Sequence, residues 1–277
     1  MALGNKTGWE RERRVHFDEI VLNYDKVRPE YPVALFEEIM KYSGPGEGTK
    51  ALEIGAGTGK ATIPFLNAGY SVTAVELGAK MADFMVERFH GNDRFKVITG
   101  TFEDALVEED RYDLVYAASA FHWVDAETGC PKIYRILKSR GAIALFRYNL
   151  VPAVGEELYE EIQESYEKFY YSYYKSSQRL TKISKDQYWE PWKIHQGFGF
   201  ESLEKYGFMD ISKSLYDVTR TFDADEYIAL LDTMSDHRSL PEYERAALYN
   251  GIKEAIQRHG GQHRAEYVFQ LYMGRKP

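Results

Sequence analysis

The chain is first defined by what it lacks: it has a single cysteine, no apolar run long enough to span a bilayer, no excess of positive charge and no internal repeat. Cys130 has no second thiol to pair with, so the fold must rest on its core. A lone thiol fits a reducing compartment, and a cytoplasmic location is expected. The best apolar stretch, Gly141 to Phe146, is stopped by Arg147. That is far short of the roughly 20 residues a membrane helix takes, so no membrane partner is expected. Met1 to Arg14 has no apolar run and carries Arg11, Arg13 and Arg14, which is not the pattern of a secretory signal. Those arginines alternate with Glu10 and Glu12, and the formal net charge is −8. Phosphate binding relies on clustered Lys and Arg, so a nucleic-acid partner is not expected. What the chain does have is 44% hydrophobic and 28% charged residues, the balance of a globular protein that folds without metals. Its aromatic content is 15%, with 22 tyrosines. Many of these fall between residues 159 and 192.

From residue 33 to residue 147 strand-like and helix-like segments alternate. Val33–Tyr42 reads as a helix started by Pro32 and ended by Ser43-Gly44-Pro45-Gly46. Lys50–Ile54 reads as a strand, Lys60–Asn67 as a helix closed by Gly69, and Ser71–Val75 as a strand ending in Glu76. Ala79–Phe89 carries Met81, Phe84, Met85 and Phe89 on one helical face. Phe95–Ile98, Leu114–Ala118 and Ala142–Phe146 read as strands, with a helix near Lys132–Leu137. This order implies parallel βαβ units, an α/β chain whose ligand lies beyond the carboxyl ends of the strands. After Phe146 the pattern becomes helical. Gly155–Tyr174 reads as one long helix with an aromatic stripe, and Asp223–Met234 and Ser239–Arg258 as two more. Asp223 with Glu226, and Ser239 with Glu242, have the spacing of capping boxes. Tyr267–Met273 reads as a last strand.

Between the first strand and its helix lies Glu53-Ile54-Gly55-Ala56-Gly57-Thr58-Gly59-Lys60. Glycines there let the backbone turn sharply and approach a ligand, while the following helix presents N–H groups to it. A P-loop needs four residues between its glycines and then Lys-Ser/Thr. Gly55 is one position too close to Gly59, and Ala61 stands where the hydroxyl belongs. A dinucleotide fingerprint, Gly-x-Gly-x-x-Gly, would need glycine where Lys60 stands, which leaves a degraded match.

What remains, acidic-x-Gly-x-Gly-x-Gly, resembles the first motif of class I S-adenosylmethionine-dependent methyltransferases. Arg111-Tyr112-Asp113-Leu114-Val115 with Ala117-Ala118 is similar to the family's fourth strand, and Ile136 to Ala142 to the turn before its fifth. Tyr24 to Pro32 and Phe121-His122-Trp123-Val124-Asp125 resemble the small-molecule branch, the methyltransferase type 11 and trans-aconitate methyltransferase kind. The resemblance implies a Rossmann-like, doubly wound, mostly parallel sheet of seven strands, the last antiparallel beside the fifth. It implies S-adenosyl-L-methionine as cofactor and S-adenosyl-L-homocysteine as product. Carried onto this chain, the cofactor residues are Glu53, Gly55, Ala56, Gly57 and Gly59 in the turn, then Glu76, Leu77 and Met81. Glu76 corresponds to the acidic residue that holds the ribose hydroxyls, a task suited to a carboxylate. After the third strand come Thr101, Phe102 and Glu103, where the branch has Gly-Asp-Ala-Glu. Thr101 replaces that Asp, so the adenine contact passes to its hydroxyl, to a backbone group or to Glu103. Phe102 packs on the ring or is an ordinary core residue. After the fourth strand come Ala118, Ser119 and His122.

A sulfonium is already a good leaving group, so the expected reaction is in-line displacement by a small-molecule acceptor. Alignment and exclusion of water are then the protein's main tasks. The candidates on the acceptor side are His122, Arg28 and Tyr24. His122 is a base or packs beside the cofactor, and Arg28 forks onto a substrate carboxylate or pairs with the domain surface. Tyr31 is read as packing. The expected organisation is a cofactor domain of residues 1–149 and 216–277 with a helical cap, 150–215, inserted between the fifth and sixth strands. Trp189 and Trp192, flanking Pro191, are candidates to line the pocket. The alternatives are an NAD(P)-dependent oxidoreductase and an S-adenosylmethionine-binding protein without catalysis. Oligomeric state is not legible.

Overall fold

Runs of Val, Ile, Leu and Ala with no polar face can only be strands covered on both sides, and these runs form the middle of the sheet. The structure, a computed structural model, describes residues 20–44, 46–175, 179, 181–189 and 202–277. The N-terminal charges at Glu10 to Arg14, Pro45, Pro191 and Trp192 lie outside the described residues. The strands are β1 Lys50–Ile54, β2 Ser71–Glu76, β3 Phe95–Thr99, β4 Tyr112–Ala118, β5 Leu137–Val151, β6 Met209–Asp223 and β7 Gln262–Arg275. They form a seven-stranded sheet in the order β3-β2-β1-β4-β5-β7-β6. Strands β1 to β5 pair in parallel. β7 runs against β5, since Arg140 bonds to Lys276 at one end and Arg147 to Gln270 at the other. This is the Rossmann-like, mostly parallel sheet, with the last strand reversed beside the fifth. The chain winds outward from β1 to β3 and then returns to β4 on the other side of β1. That reversal opens a crevice at the carboxyl ends of β1 and β4.

The chain forms two compact units. Of the described residues, the first comprises those within 30–149, 184–216 and 269–277. Its core gathers Leu52, Val75, Val115, Ile133, Ile143 and Tyr272, and Cys130 lies fully buried among them. Each such aliphatic side chain contributes about 1.5–3 kcal/mol by leaving water. β1 has the bounds its apolar run predicts. β5 is fifteen residues long rather than the five of its apolar stretch. Its flanks lack an apolar signature, and they are strand because β7 supplies backbone partners. The helix expected near Lys132 begins earlier and spans Ala126–Ile136 despite an internal Pro131. Asp125 starts it, its carboxylate accepting from Glu127 N at 3.1 Å and Thr128 Oγ1 at 2.9 Å. β6 alternates exposed and half-buried positions, so no apolar run marks it.

Of the described residues, the second unit comprises those within 1–29, 150–183 and 217–268. The expected long helix is a continuous helical run in three parts: α-helix Glu157–Ser165, π-helix Tyr166–Tyr171 and α-helix Ser172–Tyr174. It stops at Lys175, whose φ is +51°. Tyr166, Tyr170 and Tyr174 are spaced four apart and so share a face. That face is a hydrogen-bonded interior. Tyr166 Oη lies 2.9 Å from His237 Nε2, Tyr170 donates to Asp236 Oδ2 at 2.5 Å, and Tyr174 donates to the Asp236 carbonyl at 2.5 Å. Asp236 and His237 are both buried. Burial opposes ionisation of Asp236, but the adjoining His237 and the Tyr170 hydroxyl outweigh it and hold the carboxyl below its ordinary value.

Helix Ala224–Leu231 starts with the capping box expected from Asp223 and Glu226. Glu226 N donates to Asp223 Oδ1 at 2.8 Å, and Asp223 N to Glu226 Oε2 at 3.1 Å. The box expected from Ser239 and Glu242 does not form. Ser239 instead ends helix Ser235–Arg238 and donates its hydroxyl to the Ser235 carbonyl, and the next helix, Glu242–Arg258, starts behind Pro241. Asp223→Ala should therefore lower stability by about 1 kcal/mol, read from the shift of the urea midpoint.

Candidate functional site

The turn after β1 is built for close approach. Gly55, Gly57 and Gly59 have φ of +66°, +59° and +84°, a region in which side chains are strained. A Cβ on Gly55 would lie 2.6 Å from that of Ala120, and one on Gly59 would lie 2.7 Å from the Phe89 ring. Gly55 N bonds to Val75 O at 2.8 Å, extending the sheet by one rung, before Gly59 N closes the turn on Ala56 O at 2.9 Å. The helix expected from Lys60 starts at Thr62.

Two carboxyl groups hold this turn. Glu53 is fully buried. Its Oε2 accepts from Thr62 Oγ1 at 2.5 Å and from Tyr116 Oη at 2.8 Å, joining β1, the helix after the turn and β4. Burial pushes its pKa up to about 8; the two hydroxyls pull against that shift and Glu76 adds to it. Glu53 Oε1 is buried with no protein partner. Glu76, at the end of β2, accepts from Gly57 N at 2.7 Å on one oxygen and from Gly78 N at 2.8 Å on the other. A carboxylate oxygen can accept two hydrogen bonds, a capacity suited to fixing a turn and to meeting a vicinal diol. Leu77 follows it, half-buried, and Met81 is buried on helix Ala79–Arg88.

After β3, Thr101 Oγ1 donates to Asp104 Oδ2 at 2.6 Å and accepts from Asp104 N at 3.1 Å. Its hydroxyl shapes the turn. Phe102 is buried in the core beside Ile54 and Phe121. This loop is held by a residue that the motifs do not mark. Lys132 Nζ donates to the carbonyls of Phe102 at 2.7 Å, Glu103 at 3.1 Å and Ala105 at 2.5 Å. Its only local signal is a lysine set between Cys130 and Ile133 on a buried helical face.

After β4, Ala118 leads into Ser119, a non-glycine residue with φ of +52°. Such a conformation costs of order 1 kcal/mol and is found at functional sites. Ser119 N bonds to Phe146 O at 2.7 Å, and its Oγ accepts from Tyr31 at 2.9 Å. Tyr31 also packs edge-on against Phe146 and Phe269, which is the packing role expected of it. His122 lies on the short 3-10 turn Phe121–Trp123. A small cavity is lined by Ser119, Ala120, His122, Phe146 and Arg147. Arg147, marked in the sequence only as the end of an apolar run, donates from Nε to Gln270 Oε1 at 3.0 Å, and burial pulls its pKa down to about 10. Trp189 packs on the core of this unit. Tyr24 and Arg28 belong to the other unit, where the guanidinium lies 4.9 Å from the Tyr24 ring and donates to Thr233 O at 2.6 Å.

The raised pKa of Glu53 gives a pH dependence with a definite sign. Its folded-state value lies above the ordinary 4.5, so its contribution to stability is full below about pH 4.5 and is lost as pH rises to about 8. Buried His263, with a pKa pulled down to about 4, has the opposite slope between its own pKa and the ordinary 6.5. The interval from pH 6.5 to 8 is thus where Glu53 acts without that opposition. Wild type should lose up to about 1.4 kcal/mol per pH unit there relative to Glu53→Gln. Parallel stability profiles in urea for the two proteins would contradict this account.

The observations suit S-adenosylmethionine. Glu53 Oε1 is buried without a hydrogen-bond partner among the described residues, and Ala120 leaves no room for a Cβ on Gly55. The methyltransferase domain family matches residues 52–145, from β1 into β5. An uncharacterized methyltransferase of Schizosaccharomyces pombe is 26% identical over 245 residues, 87% of each chain. Haemonchus contortus phosphoethanolamine N-methyltransferase 2 has been solved with S-adenosyl-L-methionine, and with S-adenosylhomocysteine and phosphomonomethylethanolamine. Both structures align with a TM-score of 0.53, at 17% and 18% identity, over 99% and 96% of this chain. The present chain spans only 61% and 59% of theirs, so the likeness is one of fold. The chain carries this methyltransferase domain within this strand order, closes a carboxyl-held glycine turn at the strand reversal, and is a methyltransferase with S-adenosylmethionine as its cofactor.

Proposed function

We propose that the chain methylates a small-molecule acceptor by in-line displacement, with the acceptor received next to Ser119, His122 and Arg147. The observation that carries this reading is the cavity those residues line, set against the Gly55 turn through Ala120. Its small volume suits a small group better than a polymer, and the net charge of −8 offers nucleic acid little. The solved Haemonchus relative, which holds phosphomonomethylethanolamine, agrees in the size of its ligand. The single buried thiol accords with a cytoplasmic location.

In this reading Glu53 and the turn of Gly55, Ala56, Gly57 and Gly59 hold the amino-acid end of the cofactor. Glu76 takes the ribose, while Leu77, Met81, Thr101, Phe102 and Glu103 surround the base. Ala118 and Ser119 flank the sulfur. When bound, the cofactor supplies a methyl group on a sulfonium. The protein aligns the acceptor, keeps water out and, where the acceptor must lose a proton, accepts it at the His122 imidazole. Arg147 is a cation held by Gln270 on the acceptor side.

Three measurements test the proposal. Glu76→Ala should weaken S-adenosylhomocysteine binding by about 1.5–3 kcal/mol in calorimetry; unchanged affinity would remove Glu76 from the cofactor site. Turnover with labelled cofactor should be found in a panel of small metabolites and not with RNA or protein acceptors. On an acceptor found in this way, His122→Gln should cut turnover by roughly 10²-fold with cofactor affinity nearly intact. A small loss of turnover, or a matching loss of cofactor affinity, would give His122 a packing role instead.

A further inference from the structure

The loop from Gly100 to Ala105 has an unusual means of support. Gly100 N extends the β2–β3 pairing by bonding to Glu76 O at 2.8 Å, and Ala105 N returns to Thr101 O at 3.0 Å. Between them the carbonyls of Phe102, Glu103 and Ala105 all converge on one ammonium group, that of Lys132. An ammonium has three N–H donors, so these three bonds use the full set. The same nitrogen sits 5.1 Å from the centre of the Phe102 ring. Burial lowers the pKa of Lys132, with Arg135 adding to the effect. The group is therefore held partly out of water, where its bonds to carbonyls are stronger.

The geometry of the peptide bond turns this into a statement about the far side of the loop. In a planar trans peptide the carbonyl and the next N–H point in opposite directions. With the Phe102 carbonyl drawn to Lys132, the N–H of Glu103 faces away from it. Thr101 cannot supply a side-chain carboxylate, and its hydroxyl is engaged with Asp104. The N–H groups of Asp104 and Ala105 turn back onto Thr101, so a nucleobase beside this loop would be read by the N–H of Glu103, whose direction is set from behind.

We propose that Lys132 is a positioning residue for base recognition: it fixes the peptide planes of residues 102–105 and so sets the preference for an adenine ring. The inference rests on the proposed placement of this loop against the base. An N–H donor matches the ring acceptor N1 of adenine and opposes the N1–H of hypoxanthine. Preference between those bases is therefore the property Lys132 controls.

Calorimetry with S-adenosylhomocysteine and S-inosylhomocysteine tests it in wild type, Lys132→Met, Lys132→Gln and Glu76→Ala. Wild type should prefer the adenosyl ligand. Lys132→Met should bind it about tenfold more weakly and compress the ratio between the two ligands several-fold. Lys132→Gln, with two donors, should fall between, and it stands in if the Met variant fails to fold. Glu76→Ala should weaken both ligands alike and leave the ratio unchanged. If the Lys132 variants keep the wild-type ratio, even with a lower melting temperature, the lysine is merely structural and the inference fails. If Glu76→Ala leaves both affinities untouched, the placement of the cofactor fails instead.

Discussion

A carboxyl group buried without a cationic partner among its hydrogen bonds is the constraint on which the site depends. Glu53 ends up inside the sheet because β1 is covered on both faces, and its burial is tolerated because two hydroxyls reach it. One comes from the helix that follows the glycine turn and the other from β4, on the far side of the strand reversal. The turn is thereby bracketed. Its start is tied to the sheet, its middle is held by Glu76 through Gly57 N, and its exit is held through Thr62. Unsatisfied polarity in such a place is costly, and Glu53 Oε1 carries it among the described residues.

The elements legible in the sequence are those whose cause is local. β1 and β2 announce themselves as apolar runs bounded by glycine and an acidic end, and Asp223 with Glu226 is a short motif that closes on itself. Ser239 with Glu242 has the same spacing yet does not close, because a neighbouring helix has already taken the Ser239 hydroxyl. The outer strands are legible only in part. The ends of β5 and the whole of β6 owe their conformation to pairing partners remote in sequence, and a short window of sequence contains no trace of those.

The candidate site divides along the same line. The glycines and the two carboxylates follow from spacing. Lys132 and Arg147 do not, because each matters for what it meets across the fold: loop carbonyls in one case, Gln270 in the other. Thr101 shows how a departure from a family pattern is absorbed. The position keeps a polar side chain but directs it into the turn itself, and in the proposed arrangement the backbone is what faces the base. Arg28 shows the converse. Within its own unit its guanidinium is engaged by Thr233 O and the Tyr24 ring.

Cys130 has a practical consequence. The thiol is fully buried against Ile133 and Ile136, and burial pushes its pKa up to about 12. At neutral pH almost none of it is thiolate, the form that alkylating reagents and oxidants attack. It is also the only cysteine in the chain. A cysteine placed by mutagenesis on the loop after β3, or on the surface of the helical run, would be the sole reactive sulfur under native conditions. The protein is thus a ready host for a single fluorophore or spin label, with no background thiol to remove first.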